Sequence, residues 1–334
     1  MRFLATRLAL LVLMLFGLVC ITFVIANVAP SDPAALAAGP DATRDMVETV
    51  RREYGLDQPL PAQFLRTITD LAQLKLGRAI QTGNAVADDL ARYFPATAEL
   101  VLLSTGFAVL VGVPMGMLAA MRRNSWFDHA TRILAVSGVA LPAFWAALLL
   151  QLVFSVSLGW LPTSGQLSVA TAPPPVLSGM ILLDALWARD GATFAEAWRY
   201  AILPAFVLAL PSIAAIVRVN RAEMIEVLGS DYVTAARAHG VSPWRVIGWL
   251  ALRNAMLPTL AMIGLRLGWT LGSSFLVETV FDWPGIGLYA VSSALASDFK
   301  PVMGVTLCIG ASFMLCNLVI DLAYAWLDPR TRSA

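Results

Sequence analysis

Side chains able to do covalent or metal chemistry are few in this chain and poorly placed for it. The two histidines, His129 and His239, lie far apart, and neither sits at a spacing that would make a zinc site or a Ser-His-Asp triad. The three cysteines, Cys20, Cys308 and Cys316, fall inside apolar runs, where a thiol acts as a small hydrophobe and not as a disulfide or metal partner. The only lysines, Lys75 and Lys300, follow Leu74 and Phe299. A phosphate-cradling G-x-x-x-x-G-K-[ST] loop needs Gly-Lys, so this chain carries none; if ATP drives it, another subunit must bind the ATP. What remains is three charges in apolar surroundings, Arg266, Glu278 and Asp321, and one polar, basic stretch, Asp231 to Pro258, which reads DYVTAARAHGVSPWRVIGWLALRNAMLP.

That stretch reads as helix, glycine, helix. Ser230 or Asp231 can cap a first helix over Asp231–His239, and Gly240 stands where a left-handed C-terminal residue is wanted. Ser242-Pro243 then opens a second helix, Ser as N-cap and Pro at the first helical position, running to about Met256. Ala235, Ala236 and Ala238 keep the first helix thin enough to approach another surface, and Arg237 adds a charge. Two readings are open from the residues alone: an ordinary loop resting on lipid headgroups, or a docking surface. Arg266 has two as well. It either faces a pathway and meets a substrate carboxylate, or it pairs with Asp321 or a backbone carbonyl, or faces a partner subunit. Glu278, beside a Trp283-Pro284-Gly285 turn, reads as structural or gating, and Asp321 as a structural partner.

The elements that must position these residues are membrane spans. Of 334 residues, 58% are hydrophobic and 13% charged, against about 25% charged in soluble domains. The net charge of +1 gives no pointer to nucleic acid. The composition predicts an all-α polytopic membrane protein in a lipid bilayer. Six apolar runs are each long enough to span, for which about 20 residues are usual and about 17 suffice: Leu8–Ala29, Ala96–Met121, Ile133–Leu158, Ala201–Val217, Leu257–Val277 and Pro301–Leu327. The first is too long for a secretory signal core and ends in Asn27-Val28-Ala29-Pro30, so it reads as an uncleaved span. Arginines gather at Arg2, Arg7, Arg122, Arg123, Arg132, Arg218, Arg221, Arg237, Arg245, Arg253, Arg330 and Arg332, which places both termini and the polar stretch in the cytoplasm.

The expected organisation is therefore an N-terminal transmembrane helix over residues 1–29, an extracytoplasmic helical segment over 30–95, a five-span core over 96–328 with a cytoplasmic loop at 218–256, and a tail at 329–334. In the first external segment, Thr43–Tyr54 and Gln63–Leu76 read as amphipathic helices separated by a Pro59-Leu60-Pro61 turn, and Asp88–Phe94 as a third short helix. That segment is either a plain surface loop or a layer that admits substrate or docks a binding protein. Val176–Leu186 is too short to span and reads as an interfacial or partly inserted helix. Residues Glu278 to Lys300 read as a loop.

With the residues laid out, the chain resembles the permeases of ABC importers, and within them the dipeptide/oligopeptide/nickel branch. Thr234-Ala235-Ala236-x-x-x-Gly240 followed by Leu257-Pro258 is similar to the family's EAA loop; Thr234 in place of Glu and the longer interval to Leu257-Pro258 are both features of that branch. Val28-Ala29-Pro30-Ser31-Asp32-Pro33, Tyr54-Gly55-Leu56-Asp57-Gln58-Pro59-Leu60, Leu76-Gly77-Arg78, Phe94-Pro95-Ala96-Thr97-Ala98-Glu99-Leu100, Leu141-Pro142-Ala143-Phe144-Trp145, Val277 to Gly285 and Leu327-Asp328-Pro329-Arg330 match its other motifs in order along nearly the whole chain, with Ala79 for the family's Ser after Leu76-Gly77-Arg78.

The resemblance implies a type I importer permease fold in the bacterial inner membrane. It implies a transport subunit without its own ATPase site, and no cofactor or metal on this chain. It also implies a second related permease subunit, two ATP-binding subunits that hold the ATP and Mg, and an extracytoplasmic substrate-binding protein. The coupling residues it points to are Asp231, Tyr232, Thr234, Ala235, Ala236, Arg237, Ala238 and Gly240, seated in a cleft of the ATPase. Dipeptides or oligopeptides are the implied substrates; nickel, glutathione and other small conjugates are the alternative. An ion-gradient-driven transporter would call for an inverted repeat and midplane ionisable groups, and a membrane-embedded enzyme for clustered His, Asp or Cys; the sequence offers neither.

Overall fold

The computed structural model describes residues 12–24, 42–53, 57–73 and 75–327, with side chains to Ile320. Its helices are α1 (Val12–Val24), α2 (Arg44–Glu53), α3 (Leu60–Ala72), α4 (Val86–Met121), α5 (Trp126–Ala140), α6 (Ala143–Gln151), α7 (Ile181–Trp187), α8 (Gly191–Leu228), α9 (Asp231–Ala238), α10 (Pro243–Arg245), α11 (Leu252–Val280), α12 (Ile286–Leu295) and α13 (Phe299–Leu327). Two six-residue π-helical segments, Leu152–Ser157 after α6 and Val246–Ala251 before α11, interrupt the regular hydrogen-bond ladder. No strand ladder occurs among the described residues beyond one isolated bridge between Arg78 and Ala85.

Four helical stretches are long and apolar enough to cross a bilayer: Val86–Met121, Gly191–Leu228, Pro243–Val280 and Phe299–Ile320. A fifth exists if Trp126–Gly138 and Ala143–Ser157, bent by 106°, are one broken span. The expected unbroken span Ile133–Leu158 is thus interrupted, and the cause is Leu141-Pro142. Proline disfavours helical backbone in the residue before it, and Leu141 is extended at ψ 127°. The expected first span is described only over its middle, Val12–Val24.

Several boundaries differ from expectation, two of them because helices run on past the apolar part of their sequence. Asp88–Phe94 is no separate helix but the start of α4, which continues straight through Pro95. The fourth span does not stop at Val217; α8 holds 38 residues and carries Arg218, Arg221 and Glu223 on its last turns. Leu60 and Pro61 are not a turn but the first residues of α3, with Pro59 in the N-cap position. Residues 176–180 are non-helical and only Ile181–Trp187 forms a helix. The Glu278–Lys300 interval, expected as a loop, contains α12.

The chain divides into two compact units. One comprises residues to Thr97 together with Pro284–Met314. Its interior is a cluster of Ala79, Val86, Leu90, Ile286, Tyr289 and Val305. The buried Asp89 carboxylate accepts from the hydroxyls of Thr82 and Tyr289 and from Asn84 Nδ2, which binds α12 to the start of α4. Phe64 of α3 meets the rings of Phe16 and Phe23 of α1 edge-on.

The other unit comprises Ala98–Trp283 and Leu315 onward. It is built around α8, whose apolar window is 67% buried, against 33% or less for the other candidate spans. α11, α5, α6 and α7 pack on it. Helices in lipid associate where small residues let backbones approach, and α4 brings Gly112 and Gly116, four residues apart, onto α8. A Cβ on Gly112 would lie 2.9 Å from Ile216 Cγ2, and one on Gly116 would lie 2.9 Å from Asn220 Oδ1 and 3.0 Å from the Val217 carbonyl. Glycine is required at both positions by contact alone.

Candidate functional site

Two features on α8 could do work: a helix that follows its C-terminal end and a cavity beside its N-terminal end. At ~1.5 Å per residue its 38 residues run to about 57 Å, nearly twice the ~30 Å hydrocarbon core of a bilayer. The two features therefore lie at opposite ends of a helix longer than a bilayer's hydrocarbon core is thick.

The helix is α9, Asp231–Ala238. Gly229 ends α8 and Ser230 takes the extended N-cap conformation. The expected side-chain cap is not made; the Ser230 hydroxyl donates to the Val227 carbonyl instead. The C-terminal end follows expectation. Gly240 has φ +75°, its N–H donates to Arg237 O at 3.0 Å, and Val241 N–H donates to Ala236 O at 3.1 Å. That pair of bonds closes a helix around a left-handed residue. Nothing lies within 4 Å of a Cβ placed on Gly240, so the conformation and not space selects glycine there.

α9 is held to the body by very little. Val233 is fully buried and Ala236 half-buried; Asp231, Tyr232, Thr234, Ala235, Arg237, Ala238 and Gly240 are exposed. The helix rests on the end of α8 and on the π-helical turn Val246–Ala251. The Tyr232 hydroxyl accepts a 2.8 Å hydrogen bond from Asn254 Nδ2, which ties α9 to the start of α11. The expected second helix over Pro243–Met256 is only partly regular: α10 is one turn, the π turn follows, and α11 begins at Leu252. π insertions are found where backbone geometry serves function. Trp244 and Trp249 on this second limb are exposed, and Arg253 lies over the Trp249 ring at 5.5 Å.

An ion pair joins α5 to the C-terminal part of α8, ahead of α9. Asp128 of α5 is fully buried and accepts from Arg221 of α8 through both oxygens, Nη2 to Oδ2 at 2.8 Å. Asn124 N–H adds a third bond at 3.0 Å, and Arg132 stands 3.6 Å away with about half its side chain exposed. Forked arginine–carboxylate pairing is among the stronger polar contacts. Arg221 was legible in the sequence only as an inside charge, and nothing local pointed to a partner 93 residues away.

Arg266 and Glu278 are not brought together. Arg266, mid-way along α11, is half-buried, with Arg218 of α8 near enough to repel it. The side chain of Asp321, its expected partner, lies outside the described residues. Glu278 is fully buried and accepts from the Ser274 hydroxyl at 2.8 Å.

The cavity, about 560 Å³, is lined by Gly159, Leu161, Pro162, Ala192, Ala195, Glu196, Arg199 and Tyr200. Its wall is an ordered loop. Glu196 accepts from Ser168 N–H at 3.0 Å and the Thr171 hydroxyl at 2.6 Å, and Arg199 Nη2 donates to Trp160 O at 3.1 Å. Further along, Asp184 accepts from the N–H groups of Leu177, Ser178 and Gly179 and from the Ser178 hydroxyl. Burial favours a proton on Asp184, but these hydrogen bonds outweigh it and hold the carboxyl below its usual range. Buried Glu99 of α4 accepts from Leu182 N–H at 2.7 Å and fixes α7 against the core. Among the described residues no group of three or more His, Cys, Asp or Glu is arranged to hold a metal.

A family model for the binding-protein-dependent transport system inner membrane component matches residues 112–333, and one for the N-terminal part of such membrane components matches residues 1–102. The chain is 43% identical over 320 residues to a probable D,D-dipeptide transport system permease protein of Escherichia coli K12, covering 96% of this chain and 94% of the relative. It is 39% identical over 334 residues to a di/tripeptide transport system permease protein of Pseudomonas aeruginosa UCBPP-PA14, and 37% identical over 332 residues to a glutathione transport system permease protein of Escherichia coli CFT073, each with 99% of both chains covered.

Proposed function

Because the chain belongs to the family of binding-protein-dependent transport system inner membrane components, we propose that it forms half of the translocation pathway of an ATP-driven importer of dipeptides or short oligopeptides. In this reading it has six spans and cytoplasmic termini in a bacterial inner membrane. It pairs with a second related permease subunit. Two ATPase subunits hold ATP and Mg, and an extracytoplasmic binding protein delivers substrate. The observation that carries the reading is α9: an eight-residue helix anchored by one buried side chain, Val233, with most of its remaining surface exposed beside the end of the most buried span. Near full-length similarity to dipeptide and di/tripeptide permeases supports the substrate class; the glutathione relative keeps small peptide conjugates as the second reading.

The mechanism follows from how α9 is mounted. Its links to the body are buried Val233, packed where α9 meets the end of α8 and the π turn, and the Tyr232–Asn254 hydrogen bond to the start of α11. Closure of the ATPases on ATP would displace α9, and the helices behind it would change their tilt and switch the pathway. In this reading Arg266 faces that pathway as a contact for substrate carboxylate, and Glu278 acts as a structural or gating group at the end of α11.

The test is a bulky residue on the docking face. Ala236 is half-buried, so a tryptophan there would also disturb α9's own seat; the exposed Ala235 separates the two effects. Overpacking a tight interface costs about 1–3 kcal/mol, roughly 5- to 150-fold in the docked population. Ala235→Trp should therefore insert and pair with its partner permease yet lose most ATP-driven dialanine uptake in proteoliposomes. Wild-type uptake by a fully assembled Ala235→Trp transporter would sink the coupling role.

A further inference from the structure

We propose that the cavity at the N-terminal end of α8 is a receiving site for the two charged termini of a short peptide, with Glu196 taking the free α-amine and Arg199 the free α-carboxylate. The inference rests on the peptide-import reading and adds a site to it. Glu196 and Arg199 line the same cavity, three residues apart on one helix. Opposite charges at that spacing commonly pair, but these two do not. Glu196 is engaged by an N–H and a hydroxyl, and Arg199 by a backbone carbonyl. Among the described residues neither has an ion-pair partner. Both keep capacity in reserve, since a carboxylate offers about four acceptor positions and a guanidinium five donors.

The dimensions suit a small zwitterion. Side chains three apart on a helix start about 5–6 Å from one another, and the termini of a dipeptide flank two Cα atoms ~3.8 Å apart. A cavity of about 560 Å³ lies within the ~300–1,000 Å³ range of small-molecule sites. Leu161, Pro162, Ala192 and Ala195 give the walls an apolar character tolerant of varied side chains, and Tyr200 adds a ring and a hydroxyl. The site lies at the other end of α8 from α9, which in an importer driven through α9 is the side where substrate arrives. One fixed cation and one fixed anion would select for free termini and leave the side chains between them unread.

The test uses the full transporter, this chain with its partner permease and ATPases, in nanodiscs without the binding protein. An Ala195→Cys reporter in the cavity wall is labelled with N-ethylmaleimide and read at that position by mass spectrometry. Dialanine should slow labelling several-fold, and N-acetyl-dialanine amide should not. Adding Glu196→Gln or Arg199→Gln should weaken dialanine protection about tenfold in concentration, equivalent to about 1.4 kcal/mol. Equal protection by free and capped peptide, or protection unmoved by either charge-neutralising change, would overturn the proposal. ATP-driven dialanine uptake with the binding protein present is measured in parallel. Uptake without protection removes only this site, whereas loss of both removes the peptide-import reading with it.

Discussion

Replacing Arg221 should be among the most damaging single changes in the chain, and more damaging than replacing its partner. Asp128 is completely buried and its carboxylate takes three strong hydrogen bonds, two from Arg221 and one from Asn124 N–H. In Arg221→Met the carboxylate would keep only Asn124 and the half-exposed Arg132, 3.6 Å away. Leaving a buried charge without its partner costs about 3–5 kcal/mol; Arg132 offsets part of this, so about 3 kcal/mol is expected. In Asp128→Asn the guanidinium left behind is 19% exposed and can recruit water, so the cost should fall to about 1.5–2 kcal/mol. The double variant Asp128→Leu/Arg221→Met removes both charges and should recover at least half of the loss. The assay is reversible denaturation of the assembled transporter in detergent micelles for the four proteins of the cycle. Equal costs for the two single variants, or a double variant no better than Arg221→Met, would refute the claim that the buried carboxylate controls the energetics.

Other consequences follow from the same physics. Gly112→Val and Gly116→Val must each push α4 away from α8, because their new Cβ atoms would sit 2.9 Å from Ile216 Cγ2 and Asn220 Oδ1; the expected loss is about 1–3 kcal/mol, seen as reduced yield and earlier aggregation on heating, while Gly106→Val, which meets nothing within 4 Å, should be near neutral. Gly240→Val forces a branched residue to φ +75° at about 1–2 kcal/mol with no clash; it should lower uptake per assembled complex without lowering assembly, as measured by uptake normalised to co-purified ATPase. The Asp184 turn should fail in acid. Its folded pKa is depressed, so its stabilisation is present above the unfolded value of about 3.9 and is lost as pH falls through the lower folded value. Protease cleavage within residues 163–190 should therefore accelerate below about pH 4, and Asp184→Asn should show the faster cleavage already at pH 7.

The bounds of α9 could be read from sequence because their signals are local. Ser230-Asp231 at the start and Gly240 at the end define α9 within a single turn, so its expected and observed bounds agree to one residue. Boundaries set by hydropathy were less legible. Polar residues on the last turns of α8 lower the apolar signal, yet the backbone remains helical because a helix needs apolar neighbours only where it is in lipid. Pro95 marks an expected boundary yet lies inside α4, while Pro142 does break its span; the sequence around each does not separate these outcomes, since tertiary packing decides whether a lost backbone bond is tolerated. α12 was hidden because its Trp283-Pro284-Gly285 preface reads as a turn and its ten residues are too few to span. The Asp128–Arg221 pair and the Glu196–Arg199 cavity could not have been found locally: the first joins distant residues, and the second depends on a loop folding over one face of α8.

The two prolines of α8 are both in its first two-thirds, Pro204 and Pro211. From Ser212 to Leu228 the backbone ladder is free of proline, a stiff rod of about 26 Å ending at α9. Such a strut delivers a push at one end to its far end almost undiminished; a tilt of ~5° over that length shifts the far end by about 2 Å. Above it, each proline omits one hydrogen bond, so the segment nearer the cavity is more pliable. The helix is thus graded along its length; under the coupling role proposed above, force would enter at the rigid end and shape change would fall to the compliant one. A proline moved from the compliant part into the rod should blunt transmission even if every contact of α9 were preserved.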